Sequence, residues 1–182
     1  MTDKDSELGK IVSGCLNNSR KSQQQLYDLL APKLFAVCRR YAYSVQEAED
    51  MFMEGFMNIF KSIGSYRSES SFETWAHAVM VNSAIDHIRA HHRLCNEQIV
   101  EDLSAYDDLQ ERESIITSLE VKQVLELLDQ MSENARVVFN LRAVEGYPFG
   151  EIAQMLDKKE GAIRMVYMRA RKWLVEQLNE KQ

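Results

Sequence analysis

Basic side chains gather on one face of the last predicted helix. Residues 161–175 contain four cations and no acidic residue. At about 100° per residue, apolar residues fill one arc of this helix and the cations the other. Guanidinium and ammonium groups in this arrangement donate to phosphate oxygens and to base edges in the major groove of DNA, although an ordinary amphipathic helix with a solvated basic face has the same pattern. The residues on the basic arc are Arg164, Met165, Met168, Arg169, Arg171 and Lys172.

The segment before this helix has the spacing of a helix-turn-helix unit. Such a unit needs a small residue where its two helices cross, and Ala153 meets that need. It also needs apolar anchors in the second helix, and Ile163 and Val166 follow ten and thirteen positions later. Asp157 occupies the turn position that usually holds glycine because the backbone there takes a positive φ. The sequence therefore favours a DNA-binding helix pair.

A second candidate nucleic-acid surface lies in the segment 66–93. Aromatic rings such as Phe72 and Trp75 can stack on unpaired bases, and the basic residues that end the segment can bind phosphates. From spacing alone, however, the simpler interpretation is that Phe72 and Trp75 belong to the hydrophobic core. The candidate residues are Tyr66, Phe72, Trp75, Asn82, Arg89 and Arg93.

The histidines raise the alternative of a metal enzyme, which the sequence disfavours. His87 and His91 lie four residues apart, but no carboxylate pair accompanies them and no Glu-x-x-His motif occurs. Neither a glycine-rich phosphate loop nor a nucleophile elbow is present in the sequence. We therefore predict a protein that is not an enzyme, with no metal site and no cofactor.

The charge of the chain is unevenly distributed. The net charge is −6, which by itself argues against a nucleic-acid partner. Basic and acidic residues balance up to Arg93, whereas ten acidic residues meet only two basic ones between Leu94 and Gln130. From Met131 onward, nine basic residues exceed seven acidic ones. This concentration of acidity in the middle of the chain predicts a linker between two domains.

Helical periodicity dominates the sequence and predicts an all-α fold. Only two prolines and seven glycines interrupt 182 residues, and apolar residues recur at steps of three and four. Ser71 and Ser132 are predicted helix N-caps, and Gly146 is predicted to end a helix. We predict two small helical domains with four segments in all: an N-terminal extension (1–21), a first domain (22–93), an acidic linker (94–114) and a helix-turn-helix domain (115–182).

Targeting signals and disulfides are not indicated. The N-terminus is charged, and no apolar run is long enough to span a bilayer. The three cysteines are widely spaced and form no C-x-x-C pair. A reducing cytoplasm without membrane insertion fits these features.

Two stretches together resemble one known family. AEDMFMEGFMNIF followed by YRSESSFETWAHAVMVNSAIDHIRAHHR resembles region 2 of bacterial sigma factors of the extracytoplasmic function (ECF) type. The segment MSENARVVFNLRAVEGYPFGEIAQMLDKKEGAIRMVYMRARKWL resembles region 4 of the same family. The matching residues in the first stretch are Asp50, Phe56, Phe72, Trp75, Asn82, Asp86 and Arg89. Those in the second are Arg136, Leu141, Glu145, Gly146, Glu151, Ile152, Ala153, Leu156, Gly161, Arg164, Arg169, Ala170 and Arg171.

The resemblance implies a function in transcription initiation. A protein of this kind binds core RNA polymerase, through its clamp coiled coil and flap, and directs it to promoter DNA. Region 2 would read and melt the −10 element, and region 4 would read the −35 duplex. An anti-sigma factor is a further implied partner. The implied polymerase-binding residues are Asp50, Met53, Glu54 and Phe56.

Several positions depart from the family's pattern. Met53 stands where glutamine is usual, and Ala162 replaces a usual threonine. Met165 and Val166 stand where serine and arginine are common, so fewer polar groups are available to read bases. We therefore expect an unusual −35 preference, or one that depends more on phosphates and DNA shape. The alternative is an ordinary helix-turn-helix regulator that binds operator DNA without polymerase.

Overall fold

The computed structural model describes the backbone of residues 3–95 and 126–180, and the side chains of residues 7–91 and 126–178. Within these ranges all regular structure is helical, so the predicted all-α class is confirmed. The predicted acidic linker falls almost entirely outside the described residues. The chain forms two compact units that divide after Ile88, and each is described by itself. None of the described helices is long and apolar enough to cross a bilayer.

Residues 3–95 form four α-helices and one short 3₁₀ turn (Ile63–Ser65). In chain order these helices are α1 (Asp3–Leu16), α2 (Arg20–Tyr41), α3 (Val45–Ser62) and α4 (Phe72–Cys95). The first domain was predicted to begin at about Ser22, and α2 begins two residues earlier.

Serine caps fix where these helices start. The Ser19 hydroxyl accepts a hydrogen bond from the backbone N–H of Ser22 at 3.3 Å, and that of Ser44 accepts from Glu47 at 3.0 Å. Ser71 accepts from the N–H of Thr74 at 3.1 Å, which confirms the predicted cap of α4. Each hydroxyl satisfies a backbone donor that the first turn of a helix leaves without a partner.

The core of the first unit lies among α2, α3 and α4. Met80 of α4 reaches over Gly55 of α3, where any side chain would collide with the methionine sulfur. The Met80 sulfur also lies 3.4 Å from the thiol of Cys38 on α2. Cys38 has no exposed surface, and burial raises the pKa of its thiol to about 12. The apolar core residues of α2, α3 and α4 are Leu26, Leu30, Leu34, Val37, Cys38, Tyr41, Ala48, Met51, Phe52, Phe56, Ile59, Phe72, Ala76, Met80, Val81, Ala84, Ile85 and Ile88.

The N-terminal helix α1 packs against α2 and against the 3₁₀ turn. The two helices approach closely at Gly14, where an added Cβ would collide with the side chain of Ser22. Val12 and Cys15 are the buried residues of α1 in the described range. Most of the segment predicted as an N-terminal extension (1–21) is thus the helix Asp3–Leu16, which adds to the first unit's packing.

Between residues 133 and 180, the second unit contains three further α-helices and a π-helical turn. In chain order they are α5 (Glu133–Phe139), the π-helix (Asn140–Val144), α6 (Phe149–Leu156) and α7 (Glu160–Glu180). Their core contains Leu127, Leu128, Met131, Phe139, Ala170 and Leu174.

A buried arginine ties the start of this unit together. Arg136 is fully buried; its Nε donates to the carbonyl of Leu128 at 2.9 Å, and its Nη2 lies 3.2 Å from Asp129 Oδ1.

The predicted helix ends of this unit lie at Ser132 and Gly146. Ser132 occupies the predicted N-cap of α5 without a side-chain cap bond. Gly146, with φ of +80°, follows the π-helix as predicted for a helix end. Across the turn at Gly146, the Tyr147 N–H donates to the Leu141 carbonyl at 2.9 Å.

Candidate nucleic-acid and polymerase interfaces

Helices α6 and α7 form the helix-turn-helix that the spacing predicts. Asp157 ends α6 in the left-handed region, with φ of 53° and ψ of 49°, which confirms its predicted turn position. The next N–H, of Lys158, donates to the carbonyl of Ala153 at 2.9 Å. Ala153 and Ile163 are buried and Val166 is half-buried, as expected for a crossing residue and its two anchors.

Helix α7 buries part of its apolar arc and exposes two of the four cations of its basic arc. Ile163, Ala170 and Leu174 are buried, whereas Arg164 and Lys172 are exposed. The other residues of the basic arc, Met165, Met168, Arg169 and Arg171, are half-buried. The structure thus keeps the six candidate residues on one helix, at different depths.

Arg164 is held in place by two neighbours that sequence reasoning missed. Its Nη2 lies 3.1 Å from Oε1 of Glu160, one turn earlier in α7. Its guanidinium carbon lies 4.7 Å from the ring centroid of Phe149, the first residue of α6. The four-residue step from Glu160 to Arg164 is a signal of a helical ion pair, but the approach of Phe149 depends on tertiary packing.

A second arginine meets the same ring. The guanidinium carbon of Arg142, in the π-helix, lies 4.8 Å from the Phe149 centroid, and its Nη1 donates to the carbonyl of Tyr147 at 3.3 Å. Phe149 is buried and also packs edge-on against Tyr167, with ring centroids 5.5 Å apart. Burial, followed by the charges of Glu145 and Glu151, raises the pKa of Tyr147.

The predicted aromatic residues of the first unit form one cluster. The Tyr66 ring centroid lies 5.1 Å from that of Phe72 and 5.6 Å from that of Trp75, and Phe72 and Trp75 are 5.3 Å apart. Tyr66 and Trp75 are half-buried, whereas Phe72 is only 4% exposed. The Tyr66 hydroxyl donates to the carbonyl of Ser70 at 2.7 Å, which closes the loop before α4.

The polar candidates on α4 lie further along that helix. Asn82 is exposed and follows Trp75 by seven residues, which is about two turns and returns it to nearly the same face. Arg89 is half-buried, and the side chain of Arg93 lies outside the described residues.

Helix α3 exposes a mixed acidic and apolar face. Asp50, Met53 and Glu54 are exposed, as is Met57 one turn after Met53, a residue that sequence reasoning missed although the spacing points to it. Oε2 of Glu54 lies 3.0 Å from Nδ1 of His87 on α4.

Phe56 belongs to the core rather than to that face. It is 3% exposed, and its ring centroid lies 4.9 Å from that of Tyr27 and 5.1 Å from that of Phe52. In this conformation Phe56 therefore offers no surface to a partner.

The histidines form no metal centre in the part of the chain that the structure describes. There, no group of three or more His, Cys, Asp or Glu side chains is placed to hold an ion. His87, one of the two histidines considered as metal ligands, instead lies within hydrogen-bonding distance of the Glu54 carboxylate.

The two units correspond to two regions of one protein family. Sigma-70 region 2 matches residues 26–94, and Sigma-70 region 4 matches residues 122–174. The chain therefore belongs to the sigma-70 family of RNA polymerase sigma factors.

Relatives over most of the chain narrow the assignment within that family. The ECF RNA polymerase sigma-E factor of Haemophilus influenzae is 29% identical over 174 residues, covering 90% of this chain and 91% of the relative. RNA polymerase sigma-H factor of Pseudomonas aeruginosa is 26% identical over 165 residues, covering 84% and 86%. The chain is a sigma factor of the ECF type, and its function is to direct promoter-specific transcription.

Solved structures share this fold. The sigma factor RpoE of Bartonella quintana, solved with the anti-sigma factor NepR, aligns with a TM-score of 0.53 at 20% identity, covering 87% of this chain and 98% of that one. CnrH, solved with the cytosolic domain of CnrY, aligns with a TM-score of 0.50 at 17% identity, covering 94% and 97%.

Proposed function

We propose that this sigma factor divides its work between its two units. The first unit binds the clamp coiled coil of core RNA polymerase and reads the −10 element as separated strand. The second unit contacts the polymerase flap and reads the −35 element as duplex. The domain limits proposed for this division are 22–93 and 115–182, joined by the acidic linker 94–114 and preceded by the N-terminal segment 1–21.

The observation that carries the proposal is the exposed face of α3. Exposed methionines that are rimmed by polar side chains are typical of a surface that a protein partner covers. Asp50, Met53 and Glu54 lie on this face, and Met57 extends it by a turn. We assign polymerase binding to these four residues. Phe56 supports the face from the core, because its ring is buried between Tyr27 and Phe52.

The aromatic cluster at the start of α4 is the proposed −10 surface. Half-buried Tyr66 and Trp75 expose part of each ring, which unpaired bases can stack on, and exposed Asn82 can bond a base edge. Phe72 packs beneath both rings, so its direct contact with a base requires the cluster to open. Arg89 and Arg93 are the proposed phosphate contacts.

The basic arc of α7 is the proposed −35 surface. Recognition helices of helix-turn-helix units place their first turns against base edges in the major groove. Arg164 lies in that part of α7, and Arg169, Arg171 and Lys172 follow toward its C-terminal half. Met165 and Met168 supply apolar contact, which suits thymine methyl groups.

The remaining features of the proposal follow from this role. The protein works in the cytoplasm, where promoter DNA and polymerase meet, and it acts as an initiation factor rather than as an enzyme. An anti-sigma factor is the proposed inhibitory partner, since the sigma factor RpoE of Bartonella quintana was solved with the anti-sigma factor NepR.

Run-off transcription with purified core polymerase and a pool of genomic promoters tests the proposal. We expect promoter-dependent transcripts only when the protein is added, together with a stable complex with core. An operator-binding regulator would instead bind duplex DNA alone and form no complex with core. That result would overturn the proposal.

A further inference from the structure

The first turn of α7 carries a carboxylate beside its most exposed base-reading candidate. Glu160 begins the helix, and its Oε1 lies 3.1 Å from the Nη2 of Arg164. The same carboxylate lies over the first turn of α6, where its Oε2 would be 3.4 Å from a Cβ added at Gly150. Both side chains are exposed to solvent, so DNA can reach them.

The carboxylate of Glu160 lies beside one of two arginines that contact the Phe149 ring. The guanidinium carbons of Arg142 and Arg164 lie 4.8 Å and 4.7 Å from the ring centroid, so two cations share one ring. Two groups that each lie within 5 Å of one ring centroid are at most about 10 Å apart, a distance at which like charges repel and a nearby anion offsets the repulsion. In the free protein, Glu160 provides that anion.

DNA changes this balance because it brings its own negative charge. A phosphate close to the first turn of α7 would repel Glu160 while attracting both arginines. A suitable base edge, such as the two acceptors of guanine, offers Arg164 a bidentate partner that replaces Glu160. On a wrong sequence Arg164 stays with Glu160, and the repulsion between carboxylate and phosphate is not offset.

We propose that Glu160 is a specificity-determining residue for the −35 element. Its carboxylate competes with DNA for the guanidinium of Arg164, and it thereby weakens binding to wrong sequences more than binding to the right one. Phe149 is the positioning residue that keeps Arg164 within reach of both. This inference rests on the proposed function of α7.

The test uses holoenzyme reconstituted from core polymerase and the full chain. The probes are a promoter fragment that wild-type holoenzyme transcribes and the same fragment with its −35 hexamer scrambled. The variants are Glu160→Gln, Arg164→Gln and the double variant. Glu176→Gln is the matched control, because Glu176 also pairs with a cation four residues away, Lys172 at 4.0 Å. It lies about 24 Å further along α7.

We expect Glu160→Gln to raise affinity for the scrambled fragment about two- to fivefold, the range of an exposed ion pair. Affinity for the intact promoter should change less, so discrimination between the fragments falls. In the Arg164→Gln background, Glu160→Gln should leave discrimination unchanged, since the two residues act through one contact. Glu176→Gln should also leave it unchanged.

Other results would overturn the proposal. Unchanged discrimination in Glu160→Gln, or an equal fall in Glu176→Gln, would show that the carboxylate has no specific role. If Glu160→Gln lowered affinity for the intact promoter more than affinity for the scrambled fragment, Glu160 would instead read a base directly. If wild-type holoenzyme does not distinguish the fragments, the proposed −35 role of α7 is itself wrong, and the role of Glu160 falls with it. Thermal unfolding of each variant, monitored by circular dichroism, checks that the variants remain folded.

Discussion

Two residues of α3 that match the sigma region 2 pattern differ in burial. Asp50 is exposed, while Phe56, six positions later, packs among Tyr27, Phe52 and Phe60. Both match the resemblance to sigma region 2, but a motif match does not distinguish a residue that contacts a partner from one that supports the contact. Burial makes this distinction, and it separates the two residues clearly.

Replacing these residues should therefore have different consequences. Phe56→Ala should lower the free energy of unfolding by about 3–5 kcal/mol, because it leaves a cavity beneath α3. Asp50→Ala should change stability by less than about 0.5 kcal/mol and reduce binding to core polymerase. Denaturant unfolding and co-precipitation with core measure the two effects. A stable Phe56→Ala protein that fails to bind core would contradict this division.

For individual residues of the aromatic cluster, the sequence does not decide between a core role and a DNA-binding role. Spacing alone favoured a core role for Phe72 and Trp75, whereas the family resemblance pointed to DNA. The structure separates them by depth, with Phe72 buried and Trp75 half-buried. Periodicity cannot predict this difference, because it depends on how Tyr66 folds back over the start of α4.

At the scale of elements, most helices follow from periodicity and caps. The steps of three and four predict α2, α3, α4 and α7, and serines at 71 and 132 mark two starts. The π-helix after α5 was not predicted, because its widened turn depends on hydrogen bonds such as that from the Glu145 N–H to the Asn140 carbonyl, 3.0 Å long. The convergence of Arg142 and Arg164 on Phe149 was missed for a similar reason. It joins three elements that sequence patterns treat separately.

The packing of α1 offers a prediction for a whole helix. Gly14→Ala should destabilise the first unit by about 1–3 kcal/mol, because the new methyl group meets Ser22 and forces α1 from α2. Gly9→Ala in the same helix is the control. Nothing lies within 4 Å of its added Cβ, so helix propensity should stabilise the protein by about 0.5–1 kcal/mol. Thermal unfolding of both variants measures the difference, and equal shifts would contradict the close approach.

At the scale of the whole molecule, substitutions in the two units should impair different activities. Arg164→Ala or Arg169→Ala should weaken engagement of the −35 duplex by holoenzyme and leave core binding intact. Loss of one phosphate contact should also lower the salt dependence of DNA binding by about one unit of slope. Promoter footprinting and co-precipitation with core, compared with Asp50→Ala, separate these outcomes. Equal loss of both activities in every variant would contradict independent roles.

Charge along the chain is informative at this largest scale. The net charge of −6 alone predicts the wrong partner, since the acidity lies mainly between residues 94 and 130. The second unit carries four of its cations on one arc of α7, and the net charge of the whole chain does not reveal them. The sequence therefore predicts candidate DNA-binding segments more readily than the depth at which each of their side chains lies.

The buried thiol of Cys38 turns the first unit into its own unfolding reporter. A pKa of about 12 leaves roughly one thiol in 10⁵ ionised at pH 7, and the side chain has no exposed surface. An alkylating reagent therefore reacts with Cys38 only when the helices around it separate. The rate at which peptide mass spectrometry detects alkylated Cys38 should then follow the opening of this core. Core polymerase should slow that rate if it binds the folded face of α3.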